Sequence, residues 1–288
     1  MRTVYFYAIF FVFKAVASDI ITVQDMSSIK GANYRYMQEI FTSGGGQFTC
    51  EGLDEILNEC PDNRDTVVID LRQECHGFLN GVPITLWSKY HWGNKEKTNE
   101  QIKHCENDFL DKIAQSQKIM RQQSDDSENE VLKNSCDEEV VIKSVISEEF
   151  LCAQKNIPYY RIYVTDHCGP SNEAVSAFLD LLPKIQNLRK HIHCRGGRGR
   201  TTTFMTIICI ITYSKIMSFE EIIALQIEFK GVDLSDFDVS DSFKHEPRKE
   251  RYKFLKRFYD FVQTHPEPTS EAWNDFIKNI EVKGVCQS

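Results

Sequence analysis

The 288-residue chain has no C-x-x-C pair, no internal repeat and no apolar run long enough to cross a membrane as a helix, the ten-residue run near its start included. It also has no surplus of positive charge. Forty-two Asp and Glu against 34 Lys and Arg leave a net charge of -8, which speaks against a general nucleic-acid or anionic-membrane surface, since either requires a broad basic face. The missing C-x-x-C spacing argues against a zinc site. With only 14 glycines and 8 prolines and with 41% hydrophobic residues, the composition is neither collagen-like nor disordered, and it can supply the core of one large domain.

The first residues read MRTVYFYAIFFVFKAVASDI. Arg2, the apolar run from Val4 to Phe13 and the small residues Ala15-Val16-Ala17 form the pattern of a signal peptide cleaved after Ala17, with the domain following from residue 18. An exported protein with ten cysteines is expected to form some disulfides, with candidates among Cys50, Cys60, Cys75, Cys105, Cys136, Cys152, Cys168 and Cys286 in no readable connectivity. Cys209, inside an apolar run, reads as a core thiol.

Hydrophobic patterning gives strands at DTVVIDL, PYYRIYV and HIHC, and helices from Cys50, across Ala174 to Leu188 despite Pro183, and over TTTFMTIICIITYSK. From Thr98 to Glu130 the charged sequence, with sparse Ile102, Phe109, Leu110, Ile113 and Ile119, predicts an exposed amphipathic helix followed by a solvated loop at SDDSENE. Residues from about 80 to 145 read as an inserted subdomain. Strands alternating with helices predict an α/β layer fold with a mostly parallel sheet.

One stretch departs from the acidic background. HIHCRGGRGRTTTF puts three arginines and three glycines around Cys194, between a predicted strand and a predicted helix. Gly196, Gly197 and Gly199 are expected to supply unusual backbone angles so that N–H groups turn inward onto an anion, together with the positive end of the helix. Arg200 offers a planar fork for two phosphate oxygens. The same field favours the thiolate of Cys194 as nucleophile, and Thr201 has a hydroxyl to donate to its sulfur. These residues suit attack on phosphorus to give a phosphocysteine, then hydrolysis. Asp166, in VTDHCGP, is the candidate general acid, although by itself it also reads as a turn or capping residue. His167 follows it as a candidate phosphate contact.

HCRGGRGRTT resembles the phosphate-binding loop of the protein tyrosine phosphatase superfamily. DLRQECHGFLNGVPITLW with WGNKEKT, VVIKSVISEEF and YYRIYVTDHCGPSNEAV look like segments of the protein tyrosine phosphatase-like inositol polyphosphatases, or cysteine phytases, in order from about residue 33 to residue 262. The resemblance implies a phosphatase core with a central, mostly parallel sheet flanked by helices and a small inserted partial β-barrel subdomain. It also implies no metal cofactor, and release of phosphate from myo-inositol hexakisphosphate. Carried over by motif, Cys194 is the nucleophile, Arg200 the phosphate clamp, Asp166 the general acid and Thr201 the hydroxyl beside the sulfur. Arg35, in NYR, matches a substrate-binding arginine. Arg195 and Arg198 depart from the family pattern, which has acidic, small or apolar residues there, and are expected to meet neighbouring phosphates of a polyanionic substrate. A phosphotyrosine or phosphoinositide phosphatase would use the same residues, and a non-catalytic phospho-ligand binder would not need Asp166. Elsewhere, the basic run from Arg248 to Arg257 reads as the solvated face of an amphipathic helix, Lys244 and the subdomain's Lys89, Lys95 and Lys97 as possible phosphate contacts or plain surface, Trp87 and Trp92 as packing aromatics, and His76 as a structural histidine.

Overall fold

The computed structural model describes residues 21–23, 28–59, 65–123, 138–237 and 242–285. The expected signal peptide, the SDDSENE loop, Cys60, Cys136 and Cys286 lie outside the described residues.

In chain order, the strands are β1 (Ile21–Val23), β2 (Arg35–Met37), β3 (Thr42–Gly45), β4 (Thr66–Arg72), β5 (His76–Leu79), β6 (Val82–Leu86), β7 (Lys118–Gln123), β8 (Glu138–Val141), β9 (Val145–Ile146), β10 (Tyr159–Val164) and β11 (Arg189–His193). The helices are α1 (Cys50–Asn58), α2 (Asn99–Ala114), α3 (Glu148–Gln154), α4 (Asn172–Leu181), α5 (Gly199–Tyr213), α6 (Phe219–Glu228), α7 (Ser242–Thr264) and α8 (Ser270–Val285).

Five strands form the central sheet in the order β10-β4-β11-β3-β2, parallel except for the antiparallel β2–β3 pair. Parallel strands are covered on both faces and so read as continuous apolar runs. All seven residues of β4 and all five of β11 are buried accordingly. Helix α5 runs through the core, with Arg200 to Ile210 buried on every side, and α4, α6, α7 and α8 complete the cluster through Phe178, Phe219, Phe258 and Trp273. Each such fully buried side chain contributes roughly 1.5–3 kcal/mol.

The second sheet has six strands in the order β8-β7-β1-β6-β5-β9, with β8 and β9 as its edges among the described residues. It draws β1 and β5 from outside residues 80 to 145. Its apolar cluster, with Cys75, Leu79, Ile84, Phe109, Leu110 and Ile113, is separate from the main core. Local chemistry sets its helix: Thr98 and Gln101 cap α2 reciprocally. The predicted long helix is corrected here. It ends at Ala114, and Ile119 lies on β7 against the small core, because β-branched and polar residues without helical spacing follow. Pro183 likewise turns the end of the α4 region into a 3-10 segment, Leu182–Ile185, since proline lacks the N–H an α-helix needs.

The two sheets are joined by a buried ionic cluster around His76. Its Nε2 lies 3.3 Å from Asp70 Oδ2 on β4 and 3.5 Å from Glu148 Oε2 on α3, and its Nδ1 lies 3.3 Å from Glu106 Oε2 on α2. Burial and Arg72 oppose the charged imidazole, but Asp70 and Glu106 outweigh them and raise its pKa to about 9. The protonated ring therefore stabilises the fold fully below its unfolded value of about 6.5, and that contribution disappears as pH rises through about 9. Urea unfolding at successive pH values checks this: His76→Gln is expected to be less stable than wild type at pH 6, with the difference shrinking steadily between pH 6.5 and 9.

Candidate active site

The loop between β11 and α5 folds over Cys194, which is 3% exposed. Gly197 takes φ +68°, and a Cβ there would collide with Gly46 N and Ala32 O, so glycine is required on both counts. The expectation of unusual angles at all three glycines is corrected. Gly196 and Gly199 lack a positive φ; Gly199 instead makes room for Arg251, and Gly196 has open space at its Cβ. The N-terminus of α5 has no side-chain cap, so its first N–H groups remain available to an anion.

Thr201 Oγ lies 3.2 Å from Cys194 Sγ and 3.1 Å from the carbonyl of Gly45. Its single proton can serve either, and a charged sulfur is the stronger acceptor.

Arg200 is buried and held by a residue that sequence reasoning did not single out. Glu74 accepts from both ends of the guanidinium, at 2.7 Å from Nη1 and 2.9 Å from Nη2. The Asp166 carboxylate stands 3.1 Å from Nη2. Burial alone pushes Asp166 up, but Arg200 and His167 outweigh it and hold the carboxyl below its ordinary value. The same holds more strongly for Glu74, beside both Arg200 and Arg72.

The acid loop is braced from two directions. Trp92 donates its indole N–H to the carbonyl of Asp166 at 2.9 Å, and stands with Tyr90, Phe243 and His167 in a cluster in which Tyr90 and Phe243 stack at 4.0 Å. From α7, Arg251 reaches the carbonyl of His167 at 3.4 Å and packs against Gly169 and Gly199. Arg251 is 4% exposed, which corrects the reading of this basic run as solvated throughout. Burial lowers its pKa to about 10, with Arg248 adding to the effect. His91 sits under the same loop, pushed down to about 4 by burial and Arg195.

Arg35 is a further correction at the site. Its Nη1 donates to the carbonyls of Asn33 and Gly197, each at 2.9 Å, and its Nη2 to Thr202 Oγ at 2.9 Å. With both ends engaged, it holds the loop in shape instead of offering a fork to a ligand. Arg198 points to solvent and Arg195 is half-buried. Lys95 lies over Trp92 at 4.5 Å and Lys244 over Phe243 at 5.2 Å, whereas Lys97 turns to Asn94 and Cys105 in the second sheet's core region.

The described cysteines, Cys50, Cys75, Cys105, Cys152, Cys168, Cys194 and Cys209, are free thiols, against the expectation of disulfides. Asp70, His76 and Glu148 bring three potential metal-ligating atoms within 4.8 Å, but their carboxylates are occupied: Tyr159 and Arg161 hold Asp70, and Gln47 and His193 hold Glu148. Among the described residues, no helix is long and apolar enough to cross a membrane.

Residues 69–212, which include Glu74, Asp166 and the whole Cys194–Thr201 loop, match the model of the PTP-like phytase family, inositol hexakisphosphate. The chain belongs to the PTP-like phytase family. A PTP-like myo-inositol phosphatase from Mitsuokella multacida, solved in complex with myo-inositol-(1,3,4,5)-tetrakisphosphate, superposes with a TM-score of 0.80 at 27% identity, over 90% of this chain and 48% of that one. A PTP-like phytase from Bdellovibrio bacteriovorus gives 0.74 at 28% identity, over 90% of this chain and 94% of that one. The effector protein hopD2 of Pseudomonas syringae pv. tomato is 26% identical over 226 residues, 75% of this chain and 47% of that protein. The chain thus spans about half the length of the Pseudomonas and Mitsuokella relatives. The PTP-like phytase fold accounts for the α/β architecture, the parallel sheet and the position of the loop at the carboxyl end of β11.

Glu74→Gln keeps the shape of the Arg200 partner but removes its charge. Because Asp166 remains beside Arg200, the expected loss, read by urea unfolding at pH 7, is roughly 3 kcal/mol, the low end for breaking a buried pair.

Proposed function

We propose that this PTP-like phytase hydrolyses phosphate monoesters of myo-inositol polyphosphates through a phosphocysteine intermediate. The observation that carries the reading is the convergence of Cys194, Thr201, Arg200 and Asp166 on one loop mouth, with Thr201 Oγ 3.2 Å from the sulfur and Asp166 3.1 Å from the arginine.

In the first step Cys194 Sγ attacks phosphorus, the S–P bond forms and the P–O ester bond breaks. Asp166 gives its proton to the departing oxygen. In the second step water attacks phosphorus, Asp166 takes its proton, and the S–P bond breaks to return the thiolate and free phosphate. The Thr201 hydroxyl stabilises the leaving sulfur. Arg200 and the loop N–H groups hold the equatorial oxygens throughout, where charge must be stabilised without reorganisation.

The Arg200–Asp166 contact gives the site a substrate-linked proton switch. Without substrate, Arg200 neutralises Asp166 and keeps it ionised. A phosphate dianion on Arg200 takes over that counter-charge and adds its own negative field. The carboxyl then holds a proton more tightly, as a general acid must. Glu74 keeps its bonds to Nη1 and Nη2 and fixes the guanidinium in place, with the Nε–H left for a phosphate oxygen.

Preference for a many-phosphate ring is supported by the arginines at 195 and 198 and by Lys95 and Lys244 beside the loop. It is also supported by the inositol tetrakisphosphate held by the Mitsuokella enzyme. The small residues Ala15-Val16-Ala17 behind an apolar run support export of the protein.

Phosphate release from myo-inositol hexakisphosphate and from a phosphotyrosyl peptide, measured side by side, tests the substrate. The inositol substrate is expected to be preferred, with Cys194→Ser abolishing turnover of both and Arg195→Ala/Arg198→Ala lowering kcat/KM for the inositol phosphate alone by roughly tenfold or more. Preference for the peptide, unaffected by the arginine pair, would overturn the assignment. The acid is tested by its pH profile. With its pKa below the ordinary range in the free enzyme, Asp166 loses its proton early, so kcat/KM is expected to fall as pH rises through the acid range. Asp166→Asn should lower kcat by about 10²–10⁴-fold and flatten that fall.

A further inference from the structure

We propose that Cys75 and Cys105 form an oxidisable dithiol, a disulfide site that staples α2 to the turn carrying Glu74. Cys75 follows directly after Glu74, between β4 and β5, while Cys105 lies on α2, 30 positions later in the chain. Both side chains line one small cavity, with Glu74, Leu86, Trp87, Ser88, Gly93, Asn94 and Lys97 as its other walls. The two thiols are close enough within it for Cys105 to raise the pKa of Cys75. A polar chain also connects them: Asn94 Nδ2 donates to Cys75 Sγ at 3.2 Å, Lys97 Nζ donates to Asn94 Oδ1 at 3.0 Å, and Lys97 Nζ reaches Cys105 Sγ at 3.9 Å. Cysteines that line one small cavity and share the same Asn94–Lys97 pair are placed to meet disulfide geometry with a modest shift.

Two of the other described thiols have different surroundings, whereas Cys50 and Cys152 share the apolar cluster around Phe48. Cys194 takes the Thr201 hydroxyl and Cys209 takes a hydrogen bond from Gln226 Nε2 at 3.2 Å. At the pair, exposure sets the order of events. Cys75 is 2% exposed, and burial, with Cys105 and Glu106 adding to it, pushes its thiol up to about 12. Cys105 is half-exposed on the helix. With a glutathione disulfide as oxidant, Cys105 sulfur attacks it after losing its proton, forming a mixed disulfide and releasing one glutathione. Cys75 sulfur then attacks Cys105 sulfur, giving up its proton and expelling the second glutathione. Two protein thiols are oxidised, one glutathione disulfide is reduced to two thiols, and one protein S–S bond remains.

The bridge closes a loop of about 30 residues, which removes enough unfolded-chain entropy to raise the melting midpoint by roughly 5–10 °C. The added constraint falls on the joint between the two sheets, one residue from the carboxylate that holds Arg200.

The test uses the full chain carrying Cys194→Ser, incubated with oxidised glutathione without air, alkylated, and digested with trypsin under non-reducing conditions. The expected product is the peptide 73–89 joined to the peptide 104–112, with the midpoint raised and restored by dithiothreitol. Cys105→Ala should show neither effect. Cys75→Ala should stop at glutathione on Cys105, because the second thiol is missing. The proposal fails if Cys105 keeps glutathione while Cys75 is present, if the peptides join other cysteines, or if Cys105→Ala shows the same rise in midpoint.

Discussion

The bidentate pair between Glu74 and Arg200 is the contact on which the arrangement of the site depends. A guanidinium buried in this position needs a counter-charge, since leaving it unpaired would cost more than the loop can supply. Glu74 takes the Nη1 and Nη2 ends of the guanidinium, while the buried Nε–H has no hydrogen-bond partner among the described residues and stays available to a phosphate oxygen. Asp166 then meets the same arginine at Nη2. The phosphate clamp, the acid and the buttress therefore form one electrostatic unit, and a charge added at the mouth is felt by the acid through the arginine between them.

That unit is anchored in a longer buried chain. Arg72 joins Glu74 at 3.0 Å and passes to Gln47 at 2.6 Å, and Gln47 reaches Glu148, which holds His193, the residue before the nucleophile. His76 and Arg161 close the chain on the side of the second sheet, at Asp70 and Glu106. Buried charges of this kind are held only where every partner is present. The second sheet is thus bound to the catalytic half through these polar groups and through a bridging apolar cluster in which Phe78 of β5 meets Phe48 and Val68, while it also keeps a separate apolar cluster of its own. Its Trp92 and Tyr90 brace the acid loop from that side.

Much of the architecture was legible because burial and period leave local marks. The apolar run of β4 and the apolar stretch Phe204–Ile211 of α5 were readable as buried elements, whereas β11, with the sequence RKHIH, is buried despite its polar residues. The motif residues Cys194, Thr201, Arg200 and Asp166 do come together. Less legible were residues whose role depends on what lies across the fold. Arg35 turned out to be a support for Gly197 and Thr202, and Arg251 was hidden in a run of basic residues that share a helix but not an environment. Glu74 stood in a quoted motif, where an acid next to a buried strand was the available clue.

By itself the sequence determined the local features: a strand, a glycine-bearing loop and a helix around one cysteine. These follow from steric and hydrophobic rules acting over a few residues. Only the tertiary structure decided which of the many charged residues would be paired, buried or left in water. Arg198 and Arg200 are two positions apart, yet one is solvated and the other is enclosed between Glu74 and Asp166. Their difference comes from partners 126 and 34 residues away in sequence, and Coulomb energy depends on distance in space and on the surrounding dielectric, neither of which a linear sequence contains.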